Sequence, residues 1–259
     1  MNIPVSVIHI PHASTVVPAA ARSSIALSEK ELQRELLTMT DHLTDELFRV
    51  PENLAKAVTF PVSRLVVDPE RFVNDRDEPM AAKGMGVIYT LTSSGQPLRK
   101  APSMQERDEL LSTYYFPHHL RLAQEVDAAL AMHDRCLIVD AHSFPARPLP
   151  YEAYQDLDRC DICVGTDPFH TPTWLADFTI HEFRNRGYRV EVNRPFGGSL
   201  VPEKHYRQDK RVLSIMIEVN RGLYMDEVSG ERLATFDEVA EKLQQILFNL
   251  ITAMSGERR

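Results

Sequence analysis

Two histidines and a few widely separated carboxylates are the residues of this chain whose types and spacing could do chemistry. His12 ends the string His9-Ile10-Pro11-His12, and His142 ends Asp140-Ala141-His142. Each follows an apolar run that reads as a buried strand, and in an open α/β sheet such strand ends converge on one crevice where ligands bind. Two imidazoles and one carboxylate would hold a zinc ion with one position open to water, the catalytic rather than the structural arrangement. Asp41 is the preferred carboxylate. Asp45, four residues further along a helical stretch, shares its face and is the alternative ligand or a supporting acid. Asp140, two before His142, points to the same side of an extended strand and is placed to orient that imidazole. His9 lies deeper in its strand and reads as a buried orienting residue. The same donors would accept Mn, Fe or Co.

Glu218 lies within Ser214-Ile215-Met216-Ile217-Glu218-Val219, a run too apolar for a lone carboxylate without a purpose. Burying an unpaired carboxylate costs several kcal/mol, so the group must be protonated, paired or turned into a cavity. Beside an activated water it suits a general base; the alternative is an ion pair with Arg221. Arginine grips a carboxylate with two parallel hydrogen bonds. Arg71, in Asp68-Pro69-Glu70-Arg71-Phe72, and Arg194, in Asn193-Arg194-Pro195-Phe196-Gly197-Gly198, are the first candidates for holding an anionic substrate, with Arg64 a third. Other chemistries lack their surroundings. Ser143 beside His142 has no Gly-x-Ser-x-Gly elbow, and no Gly-x-Gly-x-x-Gly follows the first strand. Cys160-Asp161-Ile162-Cys163 has no second ligand pair for a structural zinc.

The elements that must position these residues alternate along the chain. Strands are expected at 5–10, 57–60, 64–67, 136–141, 161–165, 189–192 and 213–219, with a short strand-like piece at 86–90. Capping boxes open helices at Ser28 (with Glu31), Ser103 (with Glu106) and Thr235 (with Glu238). A fourth helix starts at Thr171, with Pro172 in its first turn, and ends before Gly187. Pro117 predicts a kink or break near Tyr115-Phe116. The irregular stretches 68–102, 143–157 and 194–210 are the natural walls of a pocket, and 255–259 reads as a frayed tail. This alternation predicts an α/β fold, a mixed, mostly parallel central sheet with helices on both faces, over a single domain spanning 1–259.

The bulk numbers narrow the partners. The 259 residues carry a net charge of −8, which opposes a broad nucleic-acid footprint but leaves room for a locally cationic pocket and a small anionic ligand. No run approaches the ~18 apolar residues of a membrane span. Three cysteines, an odd number, together with a leaderless N-terminus, point to a reduced, cytoplasmic protein. No motif specifies an oligomeric state.

Read in order, the strings Pro11-His12-Ala13-Ser14, Asp41, Ser63-Arg64-Leu65-Val66-Val67-Asp68, Gly84-Met85-Gly86-Val87-Ile88-Tyr89, Tyr115-Phe116-Pro117-His118-His119, Asp140-Ala141-His142-Ser143-Phe144, Asn193-Arg194-Pro195-Phe196-Gly197-Gly198 and Ile217-Glu218-Val219-Asn220-Arg221-Gly222-Leu223-Tyr224-Met225 resemble the N-formylglutamate amidohydrolase family. That resemblance implies a hydrolase fold related to the zinc carboxypeptidases and aspartoacylases, with zinc on His12, Asp41 and His142 and Glu218 as the base. It implies carboxylate-binding arginines, most naturally Arg71, and hydrolysis of N-formyl-L-glutamate in histidine degradation. Another N-acyl amino acid or a short peptide is the alternative substrate, and a non-catalytic binding module the alternative class. The family often reads Asp-Leu-Asn-Arg where this chain reads Asp68-Pro69-Glu70-Arg71, so Glu70 adds a negative charge beside the carboxylate clamp.

Overall fold

The structure, a computed structural model, describes residues 4–256. Six strands form one sheet: β1 (Ser6–Ile10), β2 (Ala55–Thr59), β3 (Cys136–Phe144), β4 (Ile162–Gly165), β5 (Val190–Val192) and β6 (Val212–Asn220). Their order is β2-β1-β3-β6-β4-β5. The first four run parallel, β4 is antiparallel to β6, and β5 follows β4 in parallel. The expected α/β class and mixed, mostly parallel sheet are therefore present.

Alternation along the central strands divides the core into two layers. Ile8, Ile10, Leu137, Val139, Ala141, Ile215, Ile217 and Val219 face one side, where they meet Leu243, Leu247 and Leu250 of α7 (Phe236–Gly256) and Leu175 and Phe183 of α6 (Thr173–Arg184). Val7, Cys136, Ile138 and Val212 face the other, packed on Leu122, Val126 and Ala129 of α5 (Phe116–His133). On that second face, period two puts His9, Asp140, His142 and Glu218 in line with Val7, Ile138 and Val212. Leu247 is fully buried in the first layer. Leu247→Ala should cost about 2–5 kcal/mol of unfolding free energy by urea denaturation; a loss below ~1 kcal/mol would mean that α7 contributes little to the core.

Helices α2 (Glu29–Met39) and α4 (Met104–Leu110) begin with the expected reciprocal capping boxes at Ser28 and Ser103. The kink or break expected near Tyr115-Phe116 takes the form of a π-helical turn at Leu111–Tyr115, through which the chain stays helical from α4 into α5. Several expectations are corrected. Residues 64–67 and 86–90 form turns and bends rather than strands, even though Leu65, Val66, Val67, Val87 and Tyr89 are fully buried. Their burial comes from loop packing, which periodicity cannot tell from a strand. The fourth helix starts at Thr173, and the Thr171 hydroxyl instead donates to Ser214 O at 2.6 Å. The Thr235 hydroxyl donates to Leu223 O at 2.7 Å. Residues 255 and 256 continue α7, and the remainder of the expected tail lies outside the described residues. No helix among the described residues is long and apolar enough to cross a membrane.

Candidate metal centre and active site

Register brings the candidate residues together. His9 pairs with Asp140 across β1 and β3, and His142 pairs with Glu218 across β3 and β6. Because all four side chains leave the same face, each pair lies side by side at the carboxyl end of a parallel strand. His142 lies inside β3, which runs on to Phe144, rather than after the strand as the sequence suggested. The apolar pattern stops at Ala141 because the next residues line the site instead of the core.

Each imidazole is held by an aspartate. His9 Nδ1 donates to Asp140 Oδ1 at 2.8 Å, His12 Nε2 lies 2.9 Å from Asp68 Oδ1, and His142 Nδ1 lies 3.1 Å from Asp41 Oδ2. These pairings fix the tautomers and leave His12 Nδ1 and His142 Nε2 free. Both free nitrogens are buried and make no hydrogen bond, as is Glu70 Oε1. One donor atom from each of His12, Glu70 and His142 lies within 4.8 Å of the other two, and His9, Glu70 and Asp140 form a second such group. Buried polar atoms without partners are rare in folded proteins, and this set, two imidazoles and a carboxylate, is one a divalent cation would satisfy.

The electrostatics also call for positive charge. Burial opposes charging His142, yet the carboxylates of Glu70 and Asp140 raise its pKa well above the ordinary imidazole value. Burial would raise Asp41, but the neighbouring imidazoles of His12 and His142 and the charge of Arg221 hold it well below the usual carboxylate range. Glu218 behaves differently: burial, reinforced by Asp41 and Glu70 and opposed by His142, pushes its carboxyl up to about 7. Its Oε2 is buried and makes no hydrogen bond. Arg221 pairs with Asp41 Oδ1 at 2.9 Å, not with Glu218. Behind His9, Nε2 meets His118 Nε2 at 2.9 Å; burial, with help from neighbouring His9, drives His118 down to about 2 and so keeps it neutral.

The arginines separate by what already holds them. Arg64 is used internally, its Nη2 on Asp68 Oδ2 at 2.8 Å and its Nε on the Tyr89 hydroxyl at 3.1 Å. Arg71 leans on Asp68 at 3.7 Å, its Nε buried without a hydrogen-bond partner. Arg194 is not brought to this cluster: its half-exposed guanidinium pairs with Asp156 at 2.5 Å and stacks 5.0 Å over Tyr154. It lines a separate cavity of about 450 Å³ with Tyr154, Asp156 and Cys160. Its loop nevertheless reaches the site through the backbone, since Leu200 N–H donates to Asp140 Oδ2 at 2.9 Å. Asp45 is exposed, on the short α3 (Thr44–Leu47), while Asp41 precedes that helix. The two do not share a helix face, because Leu43 at φ 64° turns the chain between them.

Sequence reasoning passed over Asp68, which clasps His12, Arg64 and Tyr89 together. Its signal was present: like Glu218, it closes an apolar run, Leu65-Val66-Val67.

A mostly parallel sheet that gathers imidazoles and carboxylates at the carboxyl ends of its central strands presents donors that could hold a metal ion. The N-formylglutamate amidohydrolase family matches residues 5–225, and the chain belongs to that family. Its fold is similar to that of an N-formylglutamate amidohydrolase from Ralstonia eutropha JMP134, with a TM-score of 0.84 at 21% identity over 98% of this chain and 97% of that one. A gene product of Agrobacterium tumefaciens aligns with a TM-score of 0.67 at 20% identity, over 97% of this chain and 92% of its own. At these identities the likeness is one of fold. No curated protein matches the sequence significantly.

Proposed function

We propose that the protein hydrolyses the amide of an N-acyl amino acid, with N-formyl-L-glutamate as the leading substrate and formate and L-glutamate as products. In a cell this activity would serve histidine degradation. The observation that carries the reading is the pairing of Glu218 with His142 across β3 and β6, which sets a carboxylate with a free oxygen beside an imidazole with a free nitrogen.

A divalent ion, with zinc the leading candidate, would be held by His12, His142 and a neighbouring carboxylate, and would polarise the amide carbonyl and acidify the attacking water. Asp41, Asp68 and Asp140 lock the three imidazoles, so the donors need little rearrangement during the reaction. Glu218 accepts the proton of the attacking water at Oε2 and returns it to the amine nitrogen as the C–N bond breaks. A pKa near neutrality suits both halves of that cycle, because the group must take a proton and then give it up. Arg71, whose buried Nε has no hydrogen-bond partner, binds a substrate carboxylate.

The test is formate release from N-formyl-L-glutamate, run beside N-acetyl-L-aspartate and a dipeptide panel. Turnover of the formyl compound at least 10-fold above the others supports the assignment; preference for a dipeptide moves the substrate class to peptides. Ligand-induced stabilisation without product under added zinc would make the protein a binding module. Arg71→Ala should raise KM for the anionic substrate about 10- to 100-fold with a smaller change in kcat, as expected for removal of a charge-assisted contact made in ground and transition states alike. An unchanged KM in steady-state kinetics would free Arg71 from that role.

A further inference from the structure

We propose that Glu70, rather than Asp41, supplies the carboxylate of the metal centre, and that Asp41 is a positioning residue that fixes the tautomer of His142. The assignment rests on the metal-dependent reading above and specifies its ligand set. Three observations separate the two acids.

The first is which oxygens are spoken for. Asp41 Oδ2 lies 3.1 Å from His142 Nδ1, and its Oδ1 takes the guanidinium of Arg221 at 2.9 Å. Glu70 Oε1 is buried and has no hydrogen-bond partner, while Glu70 Oε2 lies 3.2 Å from the free His142 Nε2. A metal on His142 Nε2 leaves the Nδ1–H bond to Asp41 intact; one on Nδ1 would have to replace that proton.

The second is convergence. His12, Glu70 and His142 each present an atom within 4.8 Å of the other two. His12 and His142 are almost completely buried, so their unpaired nitrogens have no access to bulk water as a substitute partner. Asp68 ties two members of the set together, accepting from Glu70 N–H and from His12 Nε2, both at 2.9 Å. The ligand-bearing loop and the end of β1 are thus held by one carboxylate.

The third is charge. Asp41 is balanced by Arg221 and Asp68 by Arg64. Among the described residues, the ion pairs of Glu70 are with His9 at 3.6 Å and His142 at 3.2 Å, the imidazoles around the candidate centre. Of the two acids, Glu70 has no guanidinium opposite it and is the one left to neutralise a divalent cation.

The experiment uses the full chain, stripped with a chelator and titrated with Zn2+ against a fluorescent competitor, then loaded with Co2+ for its visible spectrum. Glu70→Gln should weaken Zn2+ binding at least ~100-fold and change the Co2+ ligand-field bands. Glu70→Asp should recover part of the affinity, which separates a lost ligand from a misfolded chain. Asp41→Asn, by analogy with partners that act behind a ligand, should weaken binding about 10-fold and leave the shape of the Co2+ bands unchanged. The reverse ranking, with altered bands in Asp41→Asn and wild-type bands in Glu70→Gln, would overturn the assignment. Wild-type Zn2+ affinity in both His12→Ala and His142→Ala would instead overturn the metal centre itself.

Discussion

Glu218→Gln should keep the metal affinity of the wild type and lose about 10³-fold in kcat for formate release, the middle of the range for removing a positioned general base. The substitution is nearly isosteric and preserves one oxygen, so the space beside His142 stays filled. What disappears is the capacity to accept a proton. Glu218 is buried and its Oε2 makes no hydrogen bond, so that oxygen holds no other part of the protein in place. An amide there should be tolerated or even stabilising, since it removes the cost of a desolvated charge. Loss of turnover with an unchanged or raised Tm is therefore the expected pair of results. Retained turnover, measured at saturating substrate with the metal content verified, would take the role of base away from Glu218.

His142→Ala has a larger expected reach, because this imidazole stands at the centre of the cluster. It contacts Asp41 through one nitrogen and faces Glu70 and Asp140, at 3.2 and 3.3 Å, through the other. Removing it should cut Zn2+ affinity by more than ~100-fold and bring formate release to background even with zinc added in excess. Three carboxylates would then lose a shared neighbour, so the metal-free variant should also unfold more readily than wild type. Truncating one partner of a buried charged pair typically costs about 3–5 kcal/mol. Elemental analysis, formate release and urea denaturation on one preparation would read all three effects. A variant that carries one equivalent of zinc and a tenth or more of wild-type activity would contradict the proposed centre.

The comparison with the Gln variant is informative because the two residues are paired in register. If the proposal holds, one substitution removes the chemistry and leaves the ion, and its neighbour removes both. A common structural collapse would make the two variants look alike in metal content, in Tm and in activity.

Much of this was already written in the chain. Apolar runs at 5–10, 136–141 and 213–219 specify the three central strands, because a strand covered by helices on both faces must be apolar nearly throughout. The polar residues within or just after those runs, His9, Asp140, His142 and Glu218, stand out for the same reason: a buried strand tolerates a charge only where something meets it. The Ser28 and Ser103 caps were equally legible, because they depend on residues three apart.

Tertiary structure alone decided who meets whom. Strand order places β6 beside β3, and register sets Glu218 against His142 rather than against Arg221 three residues away. The fold of the loop after residue 67 brings Glu70 to the imidazoles, and the turn at Leu43 moves Asp45 out to solvent. Arg194 is likewise carried to the surface by a loop whose backbone serves the site. Strand formation and helix capping follow from neighbours a few residues apart, so composition and periodicity reveal them. The contacts that build the site join residues as far as 56 to 180 positions apart, and only chain packing sets those distances.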